Sequence, residues 1–331
     1  MKNLFCLFMS MFMSFSIMAA DLNNTASQHK LKSITFLLDW TPNTNHTGIY
    51  VAQKKGFYQD EGLKVNIAQP SDGDAAMLVA SGKAQIGVSF QGTLVPAFTG
   101  KHKIPVTAIA ALIQHNTSGL ITLKSSGITS PRELENHKYA TWDMPIEKAI
   151  IQKVMEEDGG NYSKLTLIPS TVADAISAIQ TDVDSVWIYY AWDKIRADIE
   201  GVKTNFIAFK DYGKELDYYN PILIAGNAYL KNHPEEVKAF LRATEKGYQF
   251  AMKHPDEAAK ILCELVPELD SQLVTQSQEW LADQYQADAA HWGKFDPNRW
   301  DGFYAWLYKV NVLKTPIPAG TGFTNAYLPL D

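Results

Sequence analysis

The residues that could do chemistry gather in three short segments. Asp39 and Trp40 lie within the string Leu37-Leu38-Asp39-Trp40-Thr41-Pro42-Asn43-Thr44-Asn45-His46. Trp142-Asp143 is a second pair. The third runs from Trp187 to Asp193, where five of seven residues are Trp, Tyr or Asp. Trp offers a flat apolar face and one N–H, Tyr a face and a hydroxyl, and Asp two acceptor oxygens. Together they would sandwich a flat ring and pair with an amidine-like edge that presents N–H donors. Each such charge-assisted bond contributes about 1.5–3 kcal/mol. A 4-aminopyrimidine has that shape and that edge. Structural readings of the same residues stay open. Asp and Asn favour helix caps, and buried aromatics usually serve the core.

His46, His115 and His137 show neither the spacing of metal ligands nor a neighbouring cysteine, so hydrogen bonding suits them better than a metal. The helix N-terminus near Gln91 could hold an anionic group, but no basic cluster beside it demands a phosphate. The candidate ligand-binding set is therefore Asp39, Trp40, His46, Gln91, Trp142, Tyr189 and Asp193. No catalytic residue, metal or cofactor is expected. The chain contains no GxGxxG, GxxxxGK[ST], GxSxG or HExxH motif.

Each segment falls at the end of an expected strand. Compact apolar or alternating runs predict strands at 34–38, 64–69, 85–90, 105–112, 119–124, 138–142, 165–168, 185–190, 205–209 and 221–226. Helical patterns separate many of them, at 47–55, 73–82, 145–158 and 171–180. If a helix starts after 190, Tyr189 and Asp193 share a face. From 231 to about 312 the pattern is helical, with breaks at Pro255, Pro267 and Pro297. Alternating strands and helices imply βαβ units and a largely parallel sheet. The rhythm restarts after 118 without a Gly/Ser-rich linker. The expectation is an α/β fold of two lobes with a hinge and a central cleft. Lobe 1 would hold 33–115 and 225–331, and lobe 2 would hold 116–224, with crossings near 113–119 and 218–226. Open α/β sheets place ligands at strand C-termini in such a cleft.

Length and composition agree. The 331 residues suit two domains or lobes, and 46% hydrophobic residues suffice for a large core. A net charge of −6 argues against a nucleic-acid partner. Residues 1–20 read as a secretory signal: Lys2, an apolar run over 4–17, then small residues ending at Ala20. Residues 21–32 read as a flexible lead. Removal of 1–20 takes Cys6 with it and leaves Cys263 as the sole thiol, so no internal disulfide is expected.

Several strings carry a resemblance: 37–46 as above, Gly48-Ile49-Tyr50-Val51-Ala52-Gln53-Lys54-Lys55-Gly56-Phe57-Tyr58, Ser81 to Ser89, Gln114 to Leu120, Tyr139 to Ile150, and Phe323 to Pro329. In these, nearly the whole chain resembles the family of periplasmic thiamine-precursor-binding proteins. The resemblance implies a type II solute-binding fold, a periplasmic location and a monomer that hands its ligand to an ABC permease in the membrane. It implies a ligand of the formylaminopyrimidine or hydroxymethylpyrimidine type. Trp40 and Tyr189 would stack on the ring, with Asp39 and Asp193 on its edge. An enzymatic branch of the superfamily resembles the synthase that builds the pyrimidine from its own histidine and pyridoxal phosphate. Ser89 and Thr93 stand where that branch has Lys and His. Without the amine and the imidazole that chemistry cannot run at those positions. The alternatives are such a synthase, or a binder of another flat heterocycle such as a flavin.

Overall fold

The structure, a computed structural model, describes residues 31–70, 75–99, 103–170 and 172–330. The expected signal segment 1–20, and the lead as far as residue 30, lie outside them. The first strand begins at Lys32, the last residue of the expected lead.

Among the described residues ten strands form, close to the expected positions: β1 Lys32–Leu37, β2 Leu63–Ala68, β3 Ile86–Ser89, β4 Val106–Ala111, β5 Ser118–Leu123, β6 Lys138–Thr141, β7 Thr166–Pro169, β8 Ser185–Tyr189, β9 Thr204–Ala208 and β10 Ile222–Gly226. The helices are α1 Thr47–Lys54, α2 Phe57–Asp60, α3 Ala75–Ala80, α4 Val95–Phe98, α5 Pro145–Glu157, α6 Ala175–Thr181, α7 Ile195–Ile199, α8 Asn227–Asn232, α9 Pro234–Lys253, α10 Pro255–Leu265, α11 Ser271–Ala282 and α12 Pro297–Lys309. Two five-stranded sheets result, in the orders β2-β1-β3-β10-β4 and β7-β6-β8-β5-β9.

The sheets are mixed, which corrects the expectation of a largely parallel arrangement. β10 runs antiparallel to β3 and β4, and β5 runs antiparallel to β8 and β9. The reason is connectivity. β5 and β10 are the strands entered directly from the two crossings between the sheets. Each starts at the edge where its neighbours end: Ser118 pairs with Tyr189, and Ile222 with Ser89 and Ala111. One edge of each sheet thus gathers strand ends beside the crossings. The crossings are bonded to each other. Asn116 N donates to Asp217 Oδ1 (2.9 Å), its Nδ2 donates to Leu216 O (2.8 Å), and Leu112 N donates to Pro221 O (3.1 Å).

Apolar alternation places Ile34 and Phe36 of β1 against α9, where Phe36 stacks on Phe240 at 5.7 Å. A fully buried side chain of this size contributes about 1.5–3 kcal/mol. α1 approaches α9 so closely that a Cβ on Gly247 would fall 2.0 Å from Gly48 O. Only glycine permits that contact, which anchors the helix leaving His46. A second apolar cluster runs from Leu37 and Ala111 of the first sheet through Leu120, Tyr139 and Trp187 of the second to α12.

The expected helical stretch beyond 231 is broken over 283–296. There the chain turns back along the free edge of β4, whose Ala111 N donates to Gly293 O (2.9 Å). An edge strand's backbone donors need partners. Among the described residues, no helix is long and apolar enough to cross a membrane.

Candidate functional site

Asp39 lies two residues past the end of β1, and Leu38 N is still bonded to Ala68 O of β2 (2.9 Å). The loop after it closes on itself. Asn43 caps a 3₁₀ turn over Thr44–His46 by accepting from Asn45 N (2.9 Å). His46 is fully buried, with its Nδ1 accepting from Asn43 N (3.2 Å) and its Nε2 2.7 Å from Asp39 Oδ1. An Nδ1 acceptor puts the proton of a neutral ring on Nε2, so His46 donates to Asp39. Outer ties hold the loop. Tyr248 donates to Asn45 O (2.6 Å), and Tyr285 to Thr44 O (2.6 Å). Trp40, next to Asp39, is 55% exposed.

The second sheet supplies Tyr189 at the last position of β8. A π-helical turn, Tyr190–Lys194, follows and carries Asp193. The two residues are therefore related by a strand end and a wide turn rather than by one helix face. Burial pushes the Asp193 carboxyl up to about 6, against the pull of Arg196. Burial also raises the Tyr189 hydroxyl well above its ordinary range, and the carboxylates of both Asp39 and Asp193 add to it. Tyr189 thus stands within the field of one carboxylate from each side of the crossings. Phe90, just past β3, faces its ring at 6.4 Å. Asn220 donates Nδ2–H to the Tyr189 hydroxyl (2.9 Å).

Trp142 is half exposed, and its ring lies 5.6 Å from that of Trp187, whose buried Nε1 has no partner. The turn carrying Trp142 is organised by Glu147, a buried carboxylate missed in the sequence reading. Glu147 accepts from Tyr139 Oη (2.7 Å), Thr141 Oγ1 (3.1 Å) and Trp142 N (3.0 Å to each oxygen).

Gln91 must be corrected. Its side chain is 0% exposed, Nε2 donates to Trp300 O (2.7 Å), and Oε1 accepts from Tyr219 N (2.9 Å). Both ends of the amide are bonded to backbone, so Gln91 ties the second crossing to α12. His46 likewise is bonded to the protein through both ring nitrogens, to Asn43 N and to Asp39. Asp39, Tyr189 and Asp193 come together, Trp40 borders Asp39, and Trp142 stands with Trp187. Asn220, and Ser277 of α11, which bonds to Ala191 O in the turn that carries Asp193, were missed. Asn220 does sit in Asp217-Tyr218-Tyr219-Asn220-Pro221, whose polar and aromatic density at a crossing was a usable signal.

A groove of about 760 Å³ lies elsewhere, between residues 210–217 and α12, lined by Lys210, Asp211, Lys214, Glu215, Arg299 and Lys309 among others. Charges of both signs alternate along it, which suits solvent better than a flat ring. The Asp39–Tyr189–Asp193 cluster, with paired acceptors beside an aromatic face, is the better candidate.

Two mixed sheets joined by two crossings define the type II periplasmic binding fold. The alkanesulfonate-binding protein SsuA from Xanthomonas axonopodis pv. citri superposes with a TM-score of 0.67, covering 89% of this chain and 99% of that one; at 11% identity the likeness shows the fold alone. The chain belongs to the NMT1/THI5-like family, whose model matches residues 43–258. A formylaminopyrimidine-binding protein of Halalkalibacterium halodurans is 26% identical over 96% of this chain and 97% of its own length. A 4-amino-5-hydroxymethyl-2-methylpyrimidine phosphate synthase of Legionella pneumophila is 32% identical over 73% of this chain and 77% of its own.

Proposed function

We propose that this protein is an extracytoplasmic solute-binding protein that captures a thiamine-precursor pyrimidine and delivers it to an ABC permease. The observation that carries the reading is the Tyr189 hydroxyl, held by Asn220 Nδ2 at 2.9 Å and lying in the field of both Asp39, after β1, and Asp193, after β8. A flat ring on the tyrosine face, with N–H donors on its edge, would satisfy both carboxylates. It would thereby hold the two sheets together about the crossings, and a permease can read a shape that exists only with ligand. The amino-substituted pyrimidine common to the names of the two relatives supports the same ligand class. Secretion rests on the sequence of residues 1–20, and the monomeric state on the fold class.

Identity to the synthase favours an enzymatic second reading, which the residues at the carried-over positions oppose. Ser89 Oγ and Thr93 Oγ1 lie 3.3 Å apart. Two hydroxyls provide neither an amine for a Schiff base to pyridoxal phosphate nor an imidazole to donate, so no step through that cofactor is drawn here.

Tryptophan fluorescence separates the readings. Saturable quenching by a formylamino- or hydroxymethyl-aminopyrimidine, weakened in Trp40→Ala and Tyr189→Ala, is the expected result. A response to riboflavin but to no pyrimidine would transfer the site to another heterocycle. A Schiff-base absorbance band with pyridoxal phosphate would establish the synthase reading instead.

A further inference from the structure

We infer that Asn220, on the second crossing, is the residue that selects the substituent arm of the ligand ring: its side-chain carbonyl accepts a hydrogen bond from a neutral N–H or O–H on that arm. The inference rests on the pyrimidine reading above and names a determinant that reading does not contain.

Asn220 is 2% exposed. The nitrogen end of its amide is used, since Nδ2 donates to the hydroxyl of Tyr189. The oxygen end is not used: Oδ1 is buried and has no hydrogen-bond partner among the described residues. A buried carbonyl left unpaired costs about 1–3 kcal/mol, and such atoms are few in native folds. This one belongs to a side chain bonded to the aromatic residue at the centre of the candidate site. Tyr218, two residues before it, is buried as well, and the bond to Tyr189 fixes the seat of the amide.

The three acceptors differ in kind. Asp39 and Asp193 are carboxylates and suit the amidine edge, where N–H donors are polarised. Asn220 is neutral and suits a neutral donor without the cost of burying a further charge. A hydroxymethyl arm presents O–H, and a formylamino arm presents N–H. A site built around a buried acceptor rejects an analogue that lacks the donor, because the acceptor is then desolvated and unpaired.

The test compares 4-amino-5-hydroxymethyl-2-methylpyrimidine with 4-amino-2,5-dimethylpyrimidine, which carries methyl in place of the hydroxymethyl arm. Affinities are measured by calorimetry on the wild-type protein, Asn220→Ala and Asn220→Asp. The expected result is a wild-type preference for the hydroxymethyl compound of roughly ten- to a hundredfold. Asn220→Ala should bind the two within about threefold, and Asn220→Asp, which keeps an acceptor, should retain the preference. A preference equally strong in Asn220→Ala overturns the inference. So does a wild type that binds both compounds equally, a comparison that needs no folded variant. Wild-type protein that binds neither compound overturns this inference, and failure to bind a formylaminopyrimidine as well overturns the pyrimidine reading with it.

Discussion

His46 Nε2 donates to Asp39 Oδ1 at 2.7 Å from a fully buried ring whose other nitrogen is held by Asn43 N. The pair spans seven residues of one loop and directs one carboxylate oxygen inward, leaving the other for a ligand. His46→Ala should therefore weaken aminopyrimidine binding by roughly tenfold or more, the worth of one charge-assisted bond. His46→Gln can present an N–H in a similar place and should recover part of the loss. In a double-mutant cycle with Asp39→Asn the two losses should not add. Additive losses would mean that His46 acts independently of Asp39.

Asp193 gives the site a pH dependence. Its folded pKa, about 6, lies above the ordinary aspartate value because the carboxylate is buried. A ligand that donates N–H groups to it favours the ionised form, so affinity should rise with pH through about 6 and then level off. Stability moves the other way. A raised acid favours the folded state fully below the unfolded pKa and loses that contribution as pH climbs through about 6. Asp193→Asn should flatten both profiles and be the more stable protein at pH 7 by urea denaturation. A binding profile unchanged in the variant would assign the titration to the ligand.

The pattern of apolar and alternating runs exposed the strands: β3 and β10, buried along their length, leave a continuous apolar signature, and the edge strand β2 alternates. It could not expose their direction. Periodicity is the same either way along a strand, and the reversal of β5 and β10 follows from the crossings. The aromatic–acid strings revealed Asp39, Tyr189 and Asp193 because those residue types are unusual together at strand ends. Gln91 misled because an amide reads alike in sequence whether free or engaged, and its partners Tyr219 and Trp300 are remote. Asn220 and Ser277 stayed hidden for the same reason. Their meaning lies in Tyr189, 31 residues away, and Ala191, 86 residues away.

Ser277 of α11 joins the two halves of the site. Its hydroxyl donates to Ala191 O in the turn that carries Asp193, and lies 2.6 Å from the Thr44 hydroxyl in the loop that follows Asp39. With Ser277 donating to Ala191, Thr44 donates to Ser277. Ser277→Ala would leave the Thr44 hydroxyl and the Ala191 carbonyl buried without this partner. The expected cost is about 1–3 kcal/mol of unfolding free energy. Urea titration checks it, and a change below about 0.5 kcal/mol, the size of an ordinary surface substitution, would show that other groups or water replace the relay.

The crossings carry a second titrating group. His115 lies on the first crossing, with Nδ1 2.6 Å from Asp217 Oδ2 on the second and Nε2 2.9 Å from Asp288 Oδ1. Both ring nitrogens face carboxylates, and only an imidazolium supplies two N–H donors. Arg299 is the opposing charge, 3.3 Å from Nδ1. The bond to Asp217 is the largest cause of a raised His115 pKa, with Asp288 adding to it and burial and Arg299 working against it. For a raised histidine, the stabilisation is fully present below the ordinary value near 6.5 and is lost as pH rises through the folded pKa. Wild-type stability should therefore decline from pH 6 to pH 8.5 by more than that of His115→Gln, in which one side chain still spans the crossings but cannot titrate. Parallel stability curves for wild type and His115→Gln would place the charged form of His115 outside the forces that hold the crossings together.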